Sequence, residues 1–312
     1  MAENRRGVLL GLTAWTMWGF FPLYWPLLEP AGAVEILAHR IFWSLVVMLG
    51  VVLVLRKRDS LRATMADRRT RRVLAVAALL ITVNWGTYIW GVNHHHVVET
   101  SLGYFINPLV SVLIGVAVLG ERLRRLQWAA LALAGIAVLA LTVEYGRPPW
   151  VSLILALSFG SYGLAKKKAN AGAVESLVVE TLVVSPLALG YIAFLTATGA
   201  STFGSNGPWH VVLVVGTGVV TVLPLLAFGG AATRIPLSTL GLMQYLTPTV
   251  QFLLGILFFH EPMPAMRWVG FGLIWLSLVL FTAESLRHRR RQRRELRRQL
   301  ASNQVEEPSP AP

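Results

Sequence analysis

ETSLGYFINPLVSVLIGVAVLGERLRRLQW, residues Glu99 to Trp128, has a counterpart 140 positions later, TLGLMQYLTPTVQFLLGILFFHEPMPAMRW, from Thr239 to Trp268. Laid over each other without a gap, Pro108 meets Pro248, Gly115 meets Gly255, Glu121 meets Glu261 and Trp128 meets Trp268. The coinciding residues are types that do special backbone or interface work, not interchangeable Leu and Val. The same offset pairs Glu35 with Glu175 and Tyr88 with Phe228; further back it slips by four, so that Trp18-Gly19 meets Tyr162-Gly163. Self-similarity at a fixed period is the signature of a repeated structural unit, so the chain is expected to be a duplication of about 140 residues.

The surrounding sequence says what kind of unit. A mean hydropathy of +0.60 with 14% charged residues is far from a soluble domain. Ten apolar runs are long enough to cross about 30 Å of hydrocarbon as helices. They fall at 7–28, 34–55, 73–93, 97–119, 126–144, 150–166, 174–197, 209–232, 236–259 and 266–285. No room is left for a folded soluble domain. The start, Asn4-Arg5-Arg6 running into a full-length span, reads as a membrane helix and not as a cleavable signal. The absence of cysteine excludes disulfides, thiolate metal sites and Cys nucleophiles. The expected fold class is an all-α integral membrane protein of ten transmembrane helices.

The net charge of +13 suggests nucleic acid until it is located. Residues 56–72 carry +6 and residues 287–298 carry +7, and both segments adjoin predicted spans. Basic residues there set orientation and bind anionic lipid headgroups at about 1 kcal/mol each. No base-reading motif accompanies them, so no nucleic-acid partner is expected. With the N-terminus inside and ten crossings, 25 Lys and Arg fall on inside loops and only Arg147 and Arg267 outside. The positive-inside rule then puts both termini in the cytoplasm.

Five spans per half is an odd number, so the second copy must enter the membrane from the opposite side. Residues 1–145 and 146–286 become two inverted five-helix repeats, followed by a basic tail, 287–312, expected to be disordered. Inverted repeats are the architecture of secondary transporters, with the substrate site near the midplane between them. Two near-equivalent halves can exchange packings, which gives inward-open and outward-open states similar energy.

Polar and bend-forming residues inside the spans mark the expected path. Trp18, four residues before Pro22, reads as core packing or as cavity lining, and Trp25 as part of an interfacial belt. Arg40 lies about one and a half turns inside span 2, where an arginine costs at least about 2.5–3.5 kcal/mol unless it finds a partner or water. It either snorkels to the outer surface near Glu35 or faces a cavity between the repeats. Span 3 offers Asn84 and Tyr88, and span 4 offers Tyr104, Asn107 and Pro108. A mid-helix proline clashes with the carbonyl four residues back, that of Tyr104 for Pro108 and that of Gln244 for Pro248. Both helices are therefore expected to bend against a polar interior, with Asn107 and Thr247 at the two bends.

Glu180 in span 7 is an intramembrane carboxylate, hence either the titrating group of a proton-linked machine or an interfacial charge held by Lys166–Lys168. Arg40 and Glu180 are equivalent under the offset, but by depth they stand roughly 12–14 Å apart along the membrane normal, which favours a shared cavity over an ion pair. Spans 5 and 10 read as lipid-facing packing or as the contact of a homodimer, span 5 being rich in small residues. The cluster Gly229-Gly230-Ala231-Ala232 suggests close helix approach in span 8.

Enzyme chemistry finds little support. His94-His95-His96 with Glu99 gives part of a zincin-like pattern but no third ligand at helical spacing, so no metal site and no cofactor are expected. No Walker A or Gly-x-Ser-x-Gly motif appears, which leaves ATP-driven transport and hydrolase chemistry without a basis. The Glu121-Arg122 and Glu261 ends of spans 4 and 9 are symmetry mates, either gates or helix-end anchors.

The stretch Tyr104-Phe105-Ile106-Asn107-Pro108-Leu109, the Gly120-Glu121-Arg122 end and the echo at Pro248 and Glu261 resemble the EamA modules of the drug/metabolite transporter superfamily. Within it, Glu35-Ile36-Leu37-Ala38-His39-Arg40, Ser101-Leu102-Gly103-Tyr104 and Leu237-Ser238-Thr239-Leu240-Gly241 are similar to the RarD group. The resemblance covers the chain up to about residue 286. It implies a ten-helix permease of tandem EamA repeats in a bacterial inner membrane, with a nominal association with chloramphenicol sensitivity. It also implies a central cavity built from the first, third and fourth helices of each half, with the fifth and tenth outside.

The expected function is a secondary-active permease that moves a small metabolite or drug-like solute by alternating access, as an exporter, and is not an enzyme. Trp18, Asn84, Tyr88, Tyr104, Asn107, Gln244 and Thr247 line its path, Arg40 and Glu180 supply charge, and Pro108 and Pro248 bend its helices. The alternative is a non-transporting membrane scaffold or sensor that acts through its basic cytoplasmic tail.

Overall fold

The structure, a computed structural model, describes residues 2–120, 123–169, 171–235, 239 and 242–306. Among them the regular elements are helical. They are α1 (Ala2–Gly19), α2 (Ala33–Val54), α3 (Arg58–Ala66), α4 (Arg68–Asn93), α5 (Val97–Leu119), α6 (Arg125–Tyr145), α7 (Trp150–Ala169), α8 (Ala173–Ala197), α9 (Gly207–Ala232), α10 (Leu246–Leu257) and α11 (Ala265–Glu306). Seven of them (α2, α4, α5, α6, α8, α9 and the first 23 residues of α11) are long and apolar enough to cross a membrane. Large apolar side chains such as Val54, Val143, Leu187 and Leu257 face outward on these and neighbouring helices, as a lipid-covered surface requires.

Three expected spans come out differently. The run 7–28 is no single helix: α1 stops at Gly19 and two 3-10 turns follow, Phe21–Leu23 and Trp25–Leu28, each with a proline at its start. Proline has no amide hydrogen to continue an α-helix, so Pro22 and Pro26 reset the chain instead of bending it. The run 236–259 is also interrupted. A turn occupies Gln244–Tyr245 and α10 begins at Leu246, which puts Pro248 in the first turn, where its missing amide hydrogen costs no helical bond. The bend expected at Pro248 is therefore a break before it, whereas Pro108 does lie inside α5. The third run, 150–166, does form a helix, the 20-residue α7, but with Lys166, Lys167 and Lys168 in its last turn it is not among the seven.

Two further expectations need correction. The basic stretch 56–72 is not bare loop: α3 forms there, with Leu61 and Met65, one turn apart, turned toward α4 and α8. Asp67 caps α4 by accepting from the amides of Arg69 and Thr70 and from the Thr70 hydroxyl; these donors hold its carboxyl below the usual carboxylate range. The tail is helical rather than disordered as far as Glu306, since 287–306 is rich in Arg, Gln, Glu and Leu and free of Gly and Pro. Residues 307–312 lie outside the described residues, as do Glu121 and Arg122 and most of Leu237–Gly241.

The chain forms two compact units, 1–119 with 149–263, and 120–148 with 264–312. In the first, α2 pairs with α8 and α5 with α10, while α1 packs on α9 and α4 on α7. The α2/α8 pair is reciprocal at its ends. Glu35, in the first turn of α2, accepts from the Thr202 amide (2.8 Å) and the Ser201 hydroxyl (3.2 Å) just past α8. Its counterpart Glu175, in the first turn of α8, accepts from Lys57 (2.9 Å) and Ser60 (2.8 Å) just past α2. The two helices therefore run antiparallel. The second unit repeats the device: Glu144 at the end of α6 meets Arg267 near the start of α11 (2.9 Å), and Glu284 meets Arg124 just before α6 (2.9 Å). Glu144 and Glu284 are themselves 140 residues apart. Spans 5 and 10 thus pack on each other, with Ser277 donating to the Ala130 carbonyl at 2.6 Å.

The closest approach to another helix's backbone lies away from the Gly229-Gly230 pair. A Cβ on Gly229 would meet nothing within 4 Å, and one on Gly230 would meet side chains alone, Leu10 Cδ1 at 3.0 Å and Arg234 Nη1 at 3.7 Å. At Gly218 it would lie 2.5 Å from the carbonyl carbon and oxygen of Trp43, on α2. Gly218→Ala is expected to lower stability by about 1–3 kcal/mol, because backbone cannot yield as a side chain can. Gly190→Ala on α8, with open space around it, should be neutral or slightly stabilising. Thermal unfolding of the two variants in detergent checks the contrast.

Candidate functional site

Arg40 is buried in the first unit with 3% of its surface exposed. Its position on α2 is fixed from both ends by the Glu35 and Glu175 contacts. Its Nε donates to Thr221 Oγ1 of α9 at 2.9 Å. The guanidinium lies 4.1 Å from the ring centroid of Trp85, 4.9 Å from that of Trp25 and 5.8 Å from that of Phe21. No carboxylate among the described residues pairs with it, and Nη1 has no hydrogen-bond partner among them. Arg40 is thus buried among the helices and does not snorkel to the surface. Trp25, expected at an interface, is wholly buried beneath it, because the 3-10 turns fold that segment back onto the helices.

A polar chain runs beside this cage. Asn84 on α4 donates to the Leu155 carbonyl and to Ser158 Oγ, both at 3.0 Å, and accepts from the Tyr104 hydroxyl at 3.3 Å. Tyr104 meets Tyr88 edge-on at 5.7 Å. The Tyr88 hydroxyl accepts from Gln251 Nε2 at 2.9 Å, and the same amide donates to the Trp18 carbonyl at 3.1 Å. That carbonyl is in the last turn of α1 and lacks an intrahelical partner, so α10 closes the end of α1. One turn earlier on α10, Thr247 donates to the Trp15 carbonyl at 2.6 Å.

The structure thus brings Trp18, Asn84, Tyr88 and Tyr104 into one connected set and ties Thr247 to α1. Asn107 is buried and accepts from Ser111 of its own helix at 3.4 Å. Gln244 lies half-buried in the turn before α10.

Glu180 is 2% exposed and bonded to Lys166 at 2.7 Å and to the Tyr162 hydroxyl at 3.0 Å. It makes no ion pair with Arg40. It lines a small pocket with Ile41 of α2, Ala78, Ile81, Thr82 and Trp85 of α4, and Thr181 of its own helix. Trp85 is common to both charged groups: it stacks on Arg40 and forms part of the wall around Glu180.

Gln251, Thr221, Trp85 and Tyr162 are the participants that the sequence reading did not place. Tyr162 and Lys166 share one face of α7 four residues apart, a readable pairing. Thr221 and Gln251 show only as polar side chains inside apolar runs. A buried threonine can satisfy itself on its own helix, so its type alone says little.

At the helix ends, Glu261 accepts from the amides of Val97 and Val98, the first of α5, where unpaired donors and the helix dipole favour a carboxylate. It is an anchor in this structure; its mate Glu121 lies outside the described residues. His94 and His96 stack on Trp90 at 4.4 and 5.5 Å, and His96 lies 3.7 Å from Glu99. No group of three or more metal-ligating side chains occurs among the described residues.

Comparison with known proteins follows the same outline. The profile described as the EamA-like transporter family matches twice, over residues 5–143 and 149–283. "Protein RarD" of Streptomyces exfoliatus is 56% identical over 94% of this chain and 93% of that one. "Uncharacterized transporter YojE" of Bacillus subtilis (strain 168) is 41% identical over 93% of this chain and 97% of its own. A solved structure described as "Crystal structure of protein" has the same fold at a TM-score of 0.58 and 17% identity, covering 90% of this chain and 98% of that one. A multi-pass membrane protein, this chain belongs to the EamA-like transporter family.

Proposed function

We propose that the chain is a secondary-active permease that exports a small metabolite or drug-like solute by alternating access, and that it performs no covalent chemistry. Ten transmembrane helices, arranged as two inverted five-helix repeats, would sit in a bacterial inner membrane with both termini in the cytoplasm. The solute passes between the repeats along Trp18, Asn84, Tyr88, Tyr104, Asn107, Gln244 and Thr247, with Arg40 and Glu180 as its charged groups. Anionic headgroups engage the basic segments near residues 56–72 and 287–298, and a homodimer would form through α6 and α11.

The observation that carries this reading is the reciprocity of Glu35 with Glu175. Carboxylates 140 residues apart do the same work at opposite ends of an antiparallel helix pair. Exchange of that kind is what a twofold axis between inverted halves produces. It supports two packings of comparable energy, which is what alternating access needs.

The chain has no cysteine, so single cysteines can be introduced without removing any. Ser158→Cys, beside Asn84, should react with a membrane-impermeant maleimide added from either side of oriented vesicles. Leu187→Cys, on the outward face of α8, should react from neither. Labelling of Ser158→Cys from one side only would exclude alternation.

A further inference from the structure

We infer that Arg40 is the recognition point for a singly charged organic anion, a monocarboxylate with an apolar or aromatic body. This rests on the transport reading and names the class of solute it would carry. Arg40 is buried to 97% with one side-chain bond, to a neutral hydroxyl, and its Nη1 has no acceptor among the described residues. The indole of Trp25, in contact with the guanidinium, is wholly buried, and its Nε1 also lacks an acceptor. Two buried donors in contact, one carrying a full charge, form a site deficient in acceptor. Native interiors leave such groups unmatched rarely, and each instance needs a reason.

The chemistry of the walls narrows the ligand. A carboxylate presents two oxygens to the planar fork of an arginine, the geometry this side chain matches best. The charge available is single. A phosphate dianion would bring a second negative charge, and among the described residues the nearby Lys166 is already committed to Glu180. Trp85, Trp25 and Phe21 present ring faces around the guanidinium, so the rest of the ligand meets hydrocarbon and not water.

The test uses the purified full chain in detergent and two probes of one shape, phenylacetate and its neutral amide phenylacetamide. A ligand that binds only the folded state raises the unfolding temperature in a saturable way. Phenylacetate should do so at concentrations at least about tenfold below phenylacetamide, the ratio expected for one charged hydrogen bond. Arg40→Gln should erase the difference, and Arg40→Lys should keep the preference for the acid at lower affinity. Equal response to acid and amide, no saturable response to either, or an acid preference surviving in Arg40→Gln would each overturn the assignment. Vesicle labelling of Ser158→Cys is independent of the anion. If that labelling alternates and phenylacetate fails, only the solute class falls; if phenylacetate binds and labelling stays one-sided, the transport reading falls instead.

Discussion

Arg40→Met is expected to raise the unfolding temperature of the protein, by the equivalent of about 1–4 kcal/mol, although it deletes the most buried arginine in the spans. Removing a buried charge is usually destabilising because its partner is left behind. Here the partner is a threonine hydroxyl that can turn to a carbonyl of its own helix, and no carboxylate among the described residues is stranded. Methionine keeps the volume and is at home between Trp85, Trp25 and Phe21, since thioethers pack well on aromatic rings. The stacking lost with the guanidinium is worth about 2 kcal/mol at a desolvated site, less than the desolvation it offset. Thermal unfolding in detergent, followed by tryptophan fluorescence, gives the answer. A fall in stability would mean that Arg40 serves as scaffold, and a cost with no structural return would no longer mark it as a site.

That cost also separates what could be read in the sequence from what could not. Depth and residue type were enough to single out Arg40 and Glu180, because an ionisable group inside an apolar run is conspicuous. Their environments were not legible. Whether Arg40 turned outward or inward depended on Pro22 and Pro26 folding residues 21–28 back so that Trp25 covers it, a tertiary outcome. The offset of 140 placed Glu35 and Glu175 in register, and the structure gives them the same task at opposite ends of a helix pair.

Matched positions did not always imply matched backbones. Pro108 and Pro248 align, yet Pro108 lies within a helix, at the cost of one backbone bond, and Pro248 stands in the first turn of one, where its missing donor goes unneeded. Small residues misled for a related reason. Gly229-Gly230 looked suited to close helix approach, but the contact that meets another helix's backbone at 2.5 Å is at Gly218, which no local pattern distinguishes from its neighbours.

Lys166→Ala should be the most damaging of the charge substitutions, at about 3–5 kcal/mol, because it leaves Glu180 buried with its charge uncompensated. The side chain of Glu180 is 1% exposed and that of Lys166 26%, so the loss falls on the partner that water cannot reach. Lys166 also donates to Ser176, which keeps its own bond to the Ala173 carbonyl when the lysine is removed and so contributes little to the penalty. Pairing the change with Glu180→Gln should recover most of the stability. Glutamine retains an acceptor for the Tyr162 hydroxyl, and the double variant strands no charge. The coupling between the two sites, read from the four-member cycle of unfolding free energies, should be large and favourable to the native pair. Additive losses would show instead that Glu180 reaches water or another cation once Lys166 is gone. In that event Trp85 and the small pocket beside it would be open to solvent on the Glu180 side, and the carboxylate would titrate independently of the lysine that holds it here.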